Sequence, residues 1–250
     1  MVQAPHRTVR GSTFIRLLAR LADVDAPPSS QSLPDRLSQW LGWTHALALS
    51  MALDGKPTSI ASDVPIFRSA EENECARVRA SLAEAIAGER EWAHSRQRGT
   101  GPVPVEAAGA NTAVGYARHH SAMQRAIQAA TGSLRGRLRD MLAQKSERMA
   151  RLAEVDAVME LVLSPREQTL LAAVPALLGT RFERLRQAAQ ADAGVSDDGP
   201  AAAPGAWLDV FRKDMQSVLL AELDVRFQPV EGLLAALRAS QQGSHGQKSS

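Results

Sequence analysis

Apolar residues recur at three- and four-residue intervals along nearly the whole chain, and no run of alternating β-branched residues breaks the pattern. The expectation is an all-α protein. A first helix is predicted from the cap Ser12 or Thr13 to about Ala22, with Phe14, Leu17, Leu18 and Leu21 on one face and Arg16 and Arg20 opposite. Pro27-Pro28 breaks it. A second helix is predicted from Leu33 or Pro34 through Leu37, Trp40, Leu41, Leu47, Ala48 and Met51, ended by Asp54-Gly55-Lys56-Pro57. Ser69 and Glu72 match a capping box, and Cys75, Val78, Leu82 and Ile86 form the seam behind it.

The next stretch is the most informative. At about 100° per residue, Tyr116, His120, Met123, Ile127 and Ala130 share a face, and so do Leu134, Leu138, Met141, Leu152, Val155, Met159 and Leu163. The two sets are in phase across Gly132. That phase predicts one very long central helix, about 112–163, spanning roughly 70 Å. Gly132 and Gly136 are its weak points, and the sequence leaves open whether the helix kinks there. Ser164-Pro165-Arg166-Glu167 matches a second capping box, which predicts a turn and then a returning helix through Leu171, Val174, Leu178, Phe182 and Leu185, kinked at Pro175.

These signals divide the chain into an N-terminal helical region (1–98), a linker (99–109), the long helix with its returning helix (110–191), a flexible tether (192–206), a C-terminal helical segment (207–240) and a disordered tail (241–250). The expected architecture is an elongated helical bundle with a tethered C-terminal segment.

Composition narrows the chemistry. The single cysteine, Cys75, excludes an internal disulfide framework and a multi-thiolate metal site. It sits on an apolar helix face, where a thiol is a small hydrophobe. Gly132-Ser133-Leu134-Arg135-Gly136 misplaces its serine for a nucleophile elbow, and no strand precedes it. Asp54-Gly55-Lys56-Pro57 has proline where a phosphate loop needs serine or threonine. His119 and His120 are sequence neighbours and diverge by about 100° on a helix, so they cannot share one ion. The reading is non-enzymatic, with no catalytic residue, cofactor or metal site.

Net charge is only +2, but 25 of the 29 basic residues are arginine. Between Leu134 and Arg151 the chain carries Arg135, Arg137, Arg139, Lys145, Arg148 and Arg151 against Asp140 and Glu147. A DNA-reading helix would collect such charges on one face. Here Arg135 and Arg139 lie on one side of the seam, Arg137, Arg148 and Arg151 on the other, and Lys145 on the seam itself. Flanking charges of this kind suit the shoulders of a coiled-coil-like pairing surface. The favoured partner is therefore protein, by self-association or a hetero-complex, through Tyr116, Met123, Ile127, Leu134, Leu138, Met141, Leu152, Val155 and Met159. The alternative is an anionic partner, nucleic acid or a membrane surface, held by Arg135, Arg137, Arg139, Arg148 and Arg151. The apolar block near Val218 to Val225 is a second candidate contact. No apolar run approaches the ~20 residues of a transmembrane helix, and no secretory h-region is recognisable near the N-terminus, so a cytoplasmic location is expected.

Arg7-Thr-Val-Arg-Gly-Ser-Thr-Phe-Ile-Arg-Leu-Leu-Ala-Arg-Leu and Ser32-Leu-Pro-Asp-Arg-Leu-Ser-Gln-Trp-Leu-Gly-Trp resemble an uncharacterised proteobacterial family recorded only as a domain of unknown function. The resemblance extends over most of the chain and carries no assigned activity. It implies a cytoplasmic accessory of an envelope-associated assembly.

Overall fold

The computed structural model describes residues 13–24, 33–54, 69–97, 112–195 and 205–246. Within them the chain forms eight helices and no strand: α1 (Thr13–Ala22), α2 (Leu33–Trp40), α3 (Trp43–Asp54), α4 (Ser69–Gln97), α5 (Ala113–Ala143), α6 (Glu147–Leu171), α7 (Val174–Val195) and α8 (Ala206–Gly246). The all-α class holds. The linker 99–109, most of the tether 192–206 and the last four residues of the chain lie outside the described residues.

The single long helix expected over 112–163 is not formed. α5 stops at Ala143, where the Lys145 amide donates to the Leu142 carbonyl at 3.0 Å in a tightened last turn. Ser146 then caps α6: its hydroxyl accepts from the Met149 amide at 3.3 Å, and its carbonyl accepts from the Ala150 amide at 2.8 Å. Glu147 places an acid in the first turn, where the helix dipole favours it. The result is an antiparallel hairpin. Two helices facing each other across a three-residue turn keep their apolar stripes in phase as readily as one rod does. α5 runs through both Gly132 and Gly136 without interruption.

Three further boundaries differ. The second helix splits into α2 and α3 at Leu41-Gly42. No turn forms at Ser164: α6 carries Pro165 in its interior and ends at Leu171. Pro175 falls in the first turn of α7, where its missing N–H costs nothing. The C-terminal segment is no appendage, because α8 is the most thoroughly buried helix and continues helically to Gly246, where a tail was expected. Val218, Leu219, Val230 and Leu237 are fully buried on it, so the block expected to be a second contact is core.

The chain folds as two compact units that share α4, α5 and α8 between them as segments. In the first, α1 packs against α7, and Phe14 and Leu21 bury the face the sequence assigned to the core. α1 ends with Asp23 at φ 57°, and the Val24 amide reaches back to the Ala19 carbonyl at 3.1 Å, closing the helix in a Schellman-type cap. Tyr116, Phe182, Trp207 and Phe211 form an aromatic cluster with contacting centroids 5.0–5.9 Å apart, edge-to-face except for the tilted Tyr116–Phe182 pair. The buried Arg212 guanidinium donates to the Tyr116 hydroxyl at 3.1 Å and to Asp209 at 3.0 Å. In the second unit the α5–α6 hairpin packs with α3, α4 and the last part of α8, around Ile127, Leu134, Leu138, Phe227 and Leu237.

A Cβ at Gly132 or Gly136 would meet no atom within 4 Å, so packing requires glycine at neither position. Gly132→Ala and Gly136→Ala are each expected to raise stability by about 0.5–1 kcal/mol, since alanine is the better helix former. Urea melts followed by circular dichroism check this, and a lowered midpoint in either variant contradicts the open surroundings described.

Candidate functional site

α3 reads Trp-Thr-His-Ala-Leu-Ala-Leu-Ser-Met-Ala-Leu-Asp, apolar on both sides. His45, Ala48, Leu49 and Ala52 recur at i, i+3, i+4 and i+7 and form the more buried face; the helix packs on α6. Trp43, Leu47 and Met51 follow at i, i+4 and i+8 on the opposite side, and they are 83%, 54% and 66% exposed. Isolated exposed apolar residues are ordinary, but three large ones stacked on successive turns make a contiguous patch of the kind that marks an interaction surface. Beside α3, Arg166 of α6 lies over the Trp40 ring at 4.9 Å, a cation–π contact that holds the end of α2 against α6.

The arginines expected to meet an anionic partner are largely committed inside the chain. Arg135 reaches Asp156 at 2.7 Å and Glu160 at 3.2 Å, while Arg139 reaches the same two carboxylates at 3.0 and 2.5 Å. All four side chains are between 14% and 24% exposed, so this lattice is only weakly screened by solvent. Burial pulls the Arg139 guanidinium down, but hydrogen bonds and charge from Glu160 and Asp156 together outweigh it and leave its pKa raised. Arg137 pairs with Glu74 of α4 at 2.7 Å, and Arg151 with Glu147 at 2.6 Å on its own helix. Arg148 is exposed and makes no ion pair among the described residues. Three of the five thus cross-link helices, and a fourth, Arg151, is paired within its own helix.

The expected helix-pairing residues are also used internally. Tyr116, Ile127, Leu134 and Leu138 are buried, and Met123, Met141, Val155 and Met159 are partly so. Leu152 is exposed. The stripe does pair with helices, and those helices belong to this chain. Tyr116 falls in the first unit and the other eight, apart from Met123, in the second. Cys75 is buried on α4; burial, then the neighbouring Glu74 carboxylate, pushes its thiol pKa up, away from reactivity. His120 is fully buried, and no group of three or more metal-ligating side chains converges among the described residues.

The α3 face is hidden in the sequence because Leu47 and Met51 fall in the same apolar run as Ala48. The i, i+4, i+8 spacing of Trp43, Leu47 and Met51, offset from the His45–Ala52 stripe, was the available signal.

A family model described as a protein of unknown function, DUF3348, matches residues 1–239. No curated protein and no solved structure matches the chain.

Removing one carboxylate from the lattice leaves two arginines under-paired in a partly desolvated place. Asp156→Ala is expected to cost about 2 kcal/mol, whereas Glu147→Ala, in an exposed pair, costs under about 0.5 kcal/mol. Denaturant titration of both variants checks the contrast, and equal effects contradict it.

Proposed function

The chain belongs to the family of proteins of unknown function DUF3348, and from that premise we propose that it is a non-enzymatic helical interaction protein whose recognition surface is the apolar face of α3. The observation that carries the proposal is the exposure of Trp43, Leu47 and Met51 on three successive turns. Such a stripe, roughly 12 Å long at ~1.5 Å per residue, suits the apolar face of a partner helix laid along it. Trp43 is the natural anchor, because a large aromatic buries the most area at the least rotamer cost.

The Tyr116–Met159 seam of α5 and α6 is largely buried within the chain, with Leu152 exposed, so the proposal rests on α3 instead. The anionic-partner alternative draws less support, since four of its five arginines are held in ion pairs 2.5–3.2 Å long. No helix among the described residues is long and apolar enough to cross a membrane. A cytoplasmic place of work, as accessory to an envelope-associated assembly, follows from the resemblance of the N-terminal motifs and forms part of the proposal.

A photo-crosslinking amino acid placed at Leu47 in the producing cell tests this directly. The expected result is an adduct of discrete mass that disappears when Trp43 and Met51 are also replaced by serine, with the helical circular dichroism unchanged. The same probe at exposed Gln187 on α7 gives no such adduct. Equal crosslinking from both positions, or none from Leu47, refutes the reading.

A further inference from the structure

The exposed arc of α3 is uncharged. No Lys, Arg, Asp or Glu stands between Trp43 and Leu53, and Leu53, itself exposed, widens the stripe of Trp43, Leu47 and Met51 on one side. A helix that lies on a membrane surface carries lysine or arginine beside its apolar face. α3 has neither, so its surface suits protein. Being uncharged, it also meets a copy of itself without like-charge repulsion.

The two ends of α3 are electrostatically incomplete. Gly42, whose carbonyl accepts from the Ala46 amide at 2.9 Å, opens the helix with no side chain to cap the first-turn amides, and no acid stands in that turn. The last turn has no base and closes on exposed Asp54, an acid at the end of the helix dipole that disfavours it. Asp54 accepts from the Ser50 hydroxyl at 3.2 Å, which brings no positive charge.

A second α3 laid antiparallel supplies what each end lacks. With Leu47 opposite Leu47 on the two-fold axis, Met51 of each copy faces Trp43 of the other, a thioether against an aromatic ring. Asp54 then lies about 4–5 Å beyond the other copy's Trp43 along the axis, at ~1.5 Å per residue, in front of that helix's uncapped first turn. A parallel arrangement sets Trp43 on Trp43 and Asp54 on Asp54. Resting on the reading of α3 as the recognition face, we propose that its partner is a second copy of this chain, joined as a two-fold antiparallel α3–α3 pair. Four partly exposed side chains of about 200 Å² or less each stay below the ~800 Å² a side of a standard interface, so the dimer is reversible and its population follows concentration.

Sedimentation of the full chain from low to high micromolar concentration tests this. The mass is expected to climb from one chain to two, and a Trp43→Ser, Met51→Ser variant with unchanged helical circular dichroism to stay at one. Asp54→Lys, which suits its own helix terminus better, is expected to weaken association about fivefold without loss of stability. With Cys75 replaced by alanine, mild oxidation joins Leu47→Cys chains into a disulfide dimer and leaves Gln187→Cys chains single. A mass that stays at one chain overturns self-pairing. If the Leu47 crosslinking probe then still captures another protein, or the chain floats with anionic vesicles, α3 remains a recognition face with a different occupant; if neither happens, that reading falls as well. Association undiminished by Asp54→Lys, or equal disulfide formation from both cysteine positions, overturns the antiparallel pair.

Discussion

The cross-helix lattice of Arg135 and Arg139 with Asp156 and Glu160 is the constraint on which the second unit depends. It sets the register of the α5–α6 hairpin: Arg135 and Arg139 face Glu160 and Asp156 in antiparallel order, and in the same order Gln124 donates to the Leu171 carbonyl at 3.2 Å. With that register fixed, Ile127, Leu134 and Leu138 turn inward together. Further pairs attach the neighbouring helices. Arg137 holds Glu74 of α4, Arg226 of α8 holds Glu167 of α6, and Arg79 of α4 holds Asp224 and Glu231 of α8 at 2.7 and 2.5 Å. Exposed pairs each contribute little, but a repeated set with one geometry specifies which helix lies beside which.

This changes what the arginine excess means. Read as a string, Arg135 to Arg151 is a basic cluster that invites an anionic partner. In the fold, its counter-charges come from Glu74, Asp156 and Glu160, which are 17 to 63 residues distant in sequence. Guanidinium suits the task because its fork can hold two carboxylates at once, as Arg139 does. Among the five arginines, Arg148 alone keeps no ion pair among the described residues, while α3 turns Trp43, Leu47 and Met51 outward.

Much of the fold was legible in the chain. Phe14, Leu17, Leu18 and Leu21 placed α1, and the capping signature at Ser69 placed the start of α4, because helix periodicity and caps are local. The path of the chain between helices was not. Phase continuity from Tyr116 to Leu163 is a property of both a rod and a hairpin, so it could not choose between them. Lys145 on an otherwise apolar seam, followed by Ser146-Glu147 as cap and first-turn acid, was the signal for the break. The capping pattern at Ser164 misled because Pro165 is tolerated inside α6. The lattice was illegible because it is assembled by tertiary pairing of α5 and α6, which leaves no mark on any one segment.

The hairpin itself can be measured. With Cys75 replaced by alanine, spin labels at Ala126→Cys and Thr169→Cys on the outer surface of α5 and α6 report one distance by pulsed electron resonance. Helices packed side by side, with axes ~8–10 Å apart, put the labels about 20–30 Å apart, and that is the separation expected. A separation near ~65 Å, the span of an unbroken helix at ~1.5 Å per residue, would contradict the fold and with it the internal use of the arginines.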